Sequence, residues 1–198
     1  QFVSAPASNV NFGILQPCDY CNTRDPKMGT PLLTNGDAQA GGTSANALGF
    51  KIYQYSQVGE SSPAQFVLNA NVVGSAWGVA YNPNNQRLYT SAMLRRHMGF
   101  GPQGIAGLYE INPATGAVTQ QWDLANAPYN VNVGGDPRSY PSAGTGVTPT
   151  GANQLASDVD RPSWDSNAFT QTGKVSFGDM DMQASTDTLW LVNLNGPE

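Results

Sequence analysis

The chain has 198 residues, of which 12% are charged and 39% hydrophobic, and it is rich in glycine (22) and proline (14). That length allows one large all-β domain or two small ones, with enough apolar residues for a core and little tendency toward long helices. A net charge of -5, with Arg95-Arg96 as the adjacent basic pair, disfavours nucleic acid and anionic membranes as partners, and no run approaches the ~18 apolar residues of a membrane helix.

Residues 1–47 form a loop-rich amino-terminal segment in which strands are short or absent and Asn35-Gly36-Asp37 and Gly41-Gly42 mark turns. It holds Cys18 and Cys21, in Pro17-Cys18-Asp19-Tyr20-Cys21. Such a pair can be a redox disulfide, half of a zinc site or a local staple. Zinc would want two more soft or imidazole ligands, and the sequence offers His97 alone. A c-type haem needs histidine directly after the second cysteine, where Asn22 stands. No βαβ pattern surrounds the motif, so a local disulfide suits an exported chain best. Export is also the expectation from polar character carried by Asn, Ser, Thr and Gln, and from a start at Gln1 that fits a removed leader or an internal beginning.

From residue 48 onward the pattern is all-β. Gly49 to Tyr55 alternates as a strand, with Ala64 to Leu68 as its hairpin partner. Trp77 to Tyr81, Arg87 to Ala92, Ile105 to Ile111 and Ala117 to Trp122 then follow as four strands. Their turns, Asn82-Pro83-Asn84-Asn85 and Asn112-Pro113-Ala114-Thr115-Gly116, use proline to fix φ and asparagine or glycine to accept left-handed geometry. A four-stranded antiparallel unit of this kind is expected to be a β-propeller blade, the plainer alternative being unrelated β-hairpins in a sandwich. A second copy begins at Phe177-Gly178-Asp179-Met180, matched to Trp77-Gly78-Val79-Ala80 by its aromatic-glycine start, and continues through Thr188 to Leu194, matched to Arg87 to Ala92. This pairing sets Asp179 opposite Val79 and makes Gly78 and Gly178 equivalent, as close backbone approach between inner strands would require. Between the copies, residues from about 125 to 172 lose periodicity and read as one long loop, a feature that is uncommon in compact domains and is usually functional or mobile. The fold expected is therefore a partial β-propeller over residues 48–198, interrupted by that loop.

Pro17-Cys18-Asp19-Tyr20-Cys21, Trp77 to Tyr81, Arg95 to Pro102, Gly107-Leu108-Tyr109 and Gly173 to Asp181 together resemble the amino-terminal β-propeller region of large bacterial surface proteins. In that family the propeller often precedes SD-repeat, Cna-B-like or other immunoglobulin-like modules. The resemblance spans most of the chain and implies an extracellular, adhesin-type protein. A propeller needs four to eight blades, and at ~40 to 50 residues each this chain holds about three. The remainder of a longer chain, or other subunits, is thus expected to complete it.

Catalytic motifs are sparse. His97 has arginine neighbours that lower its pKa and suits a strand end or loop better than a general base, and no Gly-x-Ser-x-Gly elbow or phosphate loop is present. Asp179 and Asp181 sit two apart on a strand and so share a face. They would suit calcium, or pair with a cation such as Lys174, or stand as ordinary solvated carboxylates. Asp158, Asp160 and Asp165 form a second acidic group without the EF-hand pattern. Tyr129, Tyr140 and Trp164 in the long loop would suit sugar stacking, although aromatics are more often core. Two function classes follow: a non-catalytic structural or adhesive module contacting glycan or protein at the cell surface, and a calcium-dependent propeller hydrolase of the gluconolactonase or strictosidine-synthase type. The second would need acidic ligands on the inner strands of several blades, where the first copy has Val79.

Overall fold

The computed structural model describes residues 25–57, 64–138 and 149–196. Cys18, Cys21 and Tyr140 lie outside the described residues, and the expected disulfide with them. The alternating segments pair into three antiparallel sheets. The first joins β1 (Lys27–Pro31), β2 (Leu48–Gln54) and β3 (Phe66–Asn69) in that order. The central sheet is the up-and-down meander β4 (Ala76–Asn82), β5 (Arg87–Ala92), β6 (Gly107–Asn112) and β7 (Ala117–Asp123), and the last is the hairpin β8 (Phe177–Gln183) and β9 (Thr188–Asn193).

Strand β1 falls in the segment expected to hold short strands or none. Its sequence, Lys-Met-Gly-Thr-Pro, does not alternate, and β2 imposes its pairing. Gly29 is needed there because a Cβ would stand 2.8 Å from the Phe50 ring. Three short α-helices, α1 (Gly42–Asn46), α2 (Ala70–Val73) and α3 (Ser166–Gln171), and a 3-10 turn at Gly104–Ala106 complete the described residues. Helix α3 lies inside the stretch read as loop, and at six residues it is too short to show helical periodicity.

Alternation along each strand divides the apolar residues between two faces, and the central sheet is covered on both. Leu88, Tyr109 and Ile111 pack against Phe50, Ile52 and Leu68 of the first sheet. On the other face Ala80, Tyr89 and Leu108 meet Met180 of the last sheet, with Met182, Leu189 and Leu191 beside it. Glu110 is buried on this second face because three groups satisfy it: the hydroxyls of Tyr89 (2.7 Å) and Thr119 (2.5 Å) donate to its carboxylate, and Arg87 lies 3.6 Å away. The three sheets therefore stack in chain order, the central sheet giving one face to the first sheet and the other to the last.

Hydrogen-bond register identifies the repeat and corrects its alignment. The β4–β5 ladder is irregular between Ala76 and Val79, and the β8–β9 ladder between Phe177 and Met180. Both hairpins turn through four residues, Pro83 to Gln86 and Ala184 to Asp187, and both close on a left-handed residue, Gln86 at φ 58° and Asp187 at φ 53°. The β6–β7 hairpin repeats the turn with Gly116 at φ 72°. Superposing the ladders makes Ala76 equivalent to Phe177, Val79 to Met180, Ala80 to Asp181 and Tyr89 to Trp190. The aromatic-glycine match is thus one residue out of step, and Asp179 corresponds to Gly78 instead of Val79. A shift of one exchanges the two faces of a strand, which is why the motif match misassigned them. Gly78 and Gly178 are not equivalents; they touch, and a Cβ on Gly78 would stand 2.9 Å from the Gly178 carbonyl oxygen.

Candidate functional site

The segment Met93 to Gly101 binds the parts of the stack together. Isolated bridges join Met98 to Gly36, Phe100 to Gly74 and Met93 to Ser176. The chain turns within it through His97, which is left-handed at φ 70°. Backbone crowding accounts for its glycines: a Cβ on Gly99 would lie 3.0 Å from the Ala38 nitrogen, and one on Gly101 2.6 Å from the Val73 carbonyl. The Arg-His-x-Gly-x-Gly-Pro string is in large part a packing motif.

Beneath this segment lies a buried ion pair. Asp165 is fully buried at φ 41°, and its carboxylate accepts from Arg138 Nε at 2.8 Å, Arg138 Nη2 at 3.0 Å and the His97 backbone N–H at 2.6 Å. Arg138 Nη2 also donates to the Arg95 carbonyl, and the guanidinium stands 5.3 Å from the centre of the Phe100 ring. Burial draws the His97 pKa below its ordinary value, the charges of Arg96 and Arg138 draw it further, and Asp165 opposes them. The imidazole is therefore neutral at neutral pH. Burial raises the pKa of nearby Asp136 against the backbone N–H and charge of Arg138. Arg138 Nη1 and His97 Nε2 are buried without a hydrogen-bond partner among the described residues.

An open cleft of about 560 Å³ borders the cluster, with Leu33, Asn35, Arg96, His97, Asp160 and Arg161 on its walls. The Asn35 amide shapes it by donating to the carbonyls of Val159 and Arg161. Arg96 lies over the Phe169 ring at 5.4 Å. A second cleft, about 340 Å³, runs beside β7 at Thr119, Gln120 and Gln121. The larger cleft brings the guanidinium groups of Arg96 and Arg161 together with His97 and Asp160.

Asp179 and Asp181 share the outward face of β8, where both are exposed. Each carboxylate accepts the backbone N–H of the next residue, at 2.9 and 2.8 Å. Among the described residues no third His, Cys, Asp or Glu joins them, and Lys174 forms no ion pair with either. The second acidic group is dispersed: Asp158 accepts the Thr43 hydroxyl, Asp160 borders the larger cleft and Asp165 is in the buried pair. Tyr129 and Trp164 are each half exposed, on loops 35 positions apart in sequence. Sequence reasoning passed over Arg138, whose partner lies 27 positions away without a spacing motif. It also passed over Trp190, 61% exposed, although the flanking Leu189 and Leu191 on the opposite face marked it as outward.

Comparison with known proteins adds little to this geometry. No family model matches the chain, and no solved structure matches it significantly. Colossin-A of Dictyostelium discoideum is similar over 114 residues, at 24% identity. The match covers 57% of this chain and 1% of that protein.

Proposed function

We propose that this chain is a non-catalytic structural or adhesive module of an exported, large surface protein of bacterial type, built from successive β-propeller blades. The observation that carries the reading is the repeated hairpin: two hairpins share a ladder irregularity, a four-residue turn and a left-handed closing residue, and stand on successive sheets of one stack. Such repetition multiplies surface along the stack. The open clefts and the exposed aromatics Trp77, Tyr129, Trp164 and Trp190 offer contact area for glycan or protein. The corrected register also bears on the hydrolase class, since the central sheet has Gly78 and Ala80 where the last has Asp179 and Asp181. Axial metal sites draw acids from several blades. Protease shaving of intact cells that express the full-length protein is the test. Release of peptides from the central sheet is expected; recovery of the protein in the cytosol alone would overturn the reading. So would calcium-dependent lactone or ester hydrolysis by the purified chain that chelation abolishes.

A further inference from the structure

The two ends of the stack carry complementary faces. On the first sheet, Gly29, Phe50, Ile52 and Leu68 turn inward, so alternation and register turn Met28, Thr30, Lys51, Tyr53 and Val67 outward. The Thr30 and Tyr53 hydroxyls are hydrogen-bonded at 3.1 Å on that face, Lys51 stands directly opposite Val67, and Val67 is 49% exposed. On the last sheet, Met180, Met182, Leu189 and Leu191 turn inward, and Asp179, Asp181, Trp190 and Val192 turn outward. There Asp181 stands directly opposite Trp190, whose indole N–H donates to Gln183 at 3.1 Å. Each end thus sets exposed apolar surface beside charge: Val67 beside the half-buried Lys51 at one end, and Trp190 and Val192 beside two exposed aspartates at the other.

Position in the stack and charge together decide what fits. The outward face of the last sheet is the equivalent of the central-sheet face that holds Ala80 and Tyr89, which a further sheet covers. A wholly apolar cover over Asp179 and Asp181 would strand two carboxylates without partners, which burial penalises. Glu110 shows how this fold buries an acid between sheets, by giving it hydroxyls and an arginine. The outward face of the first sheet supplies the matching groups: Lys51, the Thr30 and Tyr53 hydroxyls, and Val67 as apolar surface. It also looks away from the central sheet, toward the preceding position in the stack.

We propose that a second copy of this chain covers the last sheet, its first-sheet face of Lys51, Tyr53 and Val67 packing on Asp179, Asp181, Trp190 and Val192 and continuing the stack from one copy into the next. The proposal rests on reading the stacked sheets as blades. Two copies bring six sheets, within the four to eight blades of closed propellers, and a pair arranged head to tail uses both ends of both copies.

Sedimentation velocity on the full chain, over a concentration series to about 100 μM, measures the association. A concentration-dependent dimer is expected. Trp190→Ala is expected to weaken it about tenfold or more, as loss of a central aromatic does. Lys51→Asp and Asp181→Lys are each expected to abolish it through like-charge contact, and an equimolar mixture of the two variants to restore it, because both interfaces of the mixed pair regain opposite charges. That rescue also shows that the variants are folded. A wild-type monomer at the highest concentration would overturn the proposal, and so would single variants that associate like wild type, or a mixture that does not recover. None of these results touches the surface-module reading, which shaving and hydrolysis decide independently of oligomeric state.

Discussion

Replacing Arg138 with methionine tests the central electrostatic claim, that one buried ion pair holds the Met93 to Gly101 segment against the loop at Asp165. The substitution keeps an apolar stem and removes the guanidinium. Two hydrogen bonds to Asp165 and one to the Arg95 carbonyl are lost, and a fully buried carboxylate retains the His97 backbone N–H alone. Removing one partner of a buried pair costs about 3 to 5 kcal/mol, most of it the penalty of the charge left behind. In a chain of this size that is a fall in melting temperature of about 10 °C. Asp165→Asn is the companion variant. Asparagine accepts the left-handed backbone and its amide oxygen can still take the His97 N–H, so this change isolates the charge and strands Arg138 instead. The double variant is expected to cost less than the two singles together by about 1 to 3 kcal/mol. Urea unfolding monitored by tryptophan fluorescence gives all three values. A loss below about 1 kcal/mol for Arg138→Met would refute the reasoning and place water around the pair.

Three further predictions concern the core and its ionisation. Gly74 is left-handed at φ 61°, and a Cβ there would collide with the Gly101 nitrogen; Gly74→Ala is expected to cost at least about 2 kcal/mol in the same assay, and an unchanged midpoint would show that the Val73 to Phe100 crossing yields freely. Burial raises Tyr109 from 10.0 to about 12. Its contribution is complete below pH 10, because there both states hold the proton, and it is lost as pH rises toward 12, because the unfolded chain ionises first. That amounts to roughly 3 kcal/mol, so Tyr109→Phe should flatten the alkaline stability profile; parallel profiles for variant and wild type would contradict it. His97 has its pKa lowered by burial first and then by Arg96, so its contribution is present above pH 6.5 and falls away as acid protonates the unfolded chain first. Imidazole NMR shifts should titrate below the ordinary histidine range, and a midpoint at or above that range would contradict the buried setting.

The strands were legible where alternation and turn chemistry agreed. Trp77 to Trp122 shows its four strands because each apolar face is buried against another sheet and each hairpin carries an asparagine, glycine or proline turn. β1 was not legible, since its Gly29 and Pro31 answer to Phe50 across the ladder and not to their neighbours in sequence. The repeat was legible and its register was not: both ladders share their irregularity at the same place, but the aromatic-glycine pairs Trp77-Gly78 and Phe177-Gly178 lie one position out of step with the hydrogen-bonded register, and a motif match carries no information on ladder pairing. The buried pair stayed hidden because Arg138 and Asp165 come from a stretch with no period, and their meeting depends on where the Met93 to Gly101 segment runs.

That segment has a mechanical consequence. Its bridges to Gly36, Gly74 and Ser176 fasten the chain preceding α1, the approach to β4 and the approach to β8 to a single strap. Tension drawn along the chain cannot peel the sheets away one at a time while the strap holds, since each would have to leave against backbone bonds anchored in the other two. Rupture is then one cooperative event at high load, not a staircase of small ones, and a domain built in this way would bear pulling force up to a threshold and release its full length beyond it.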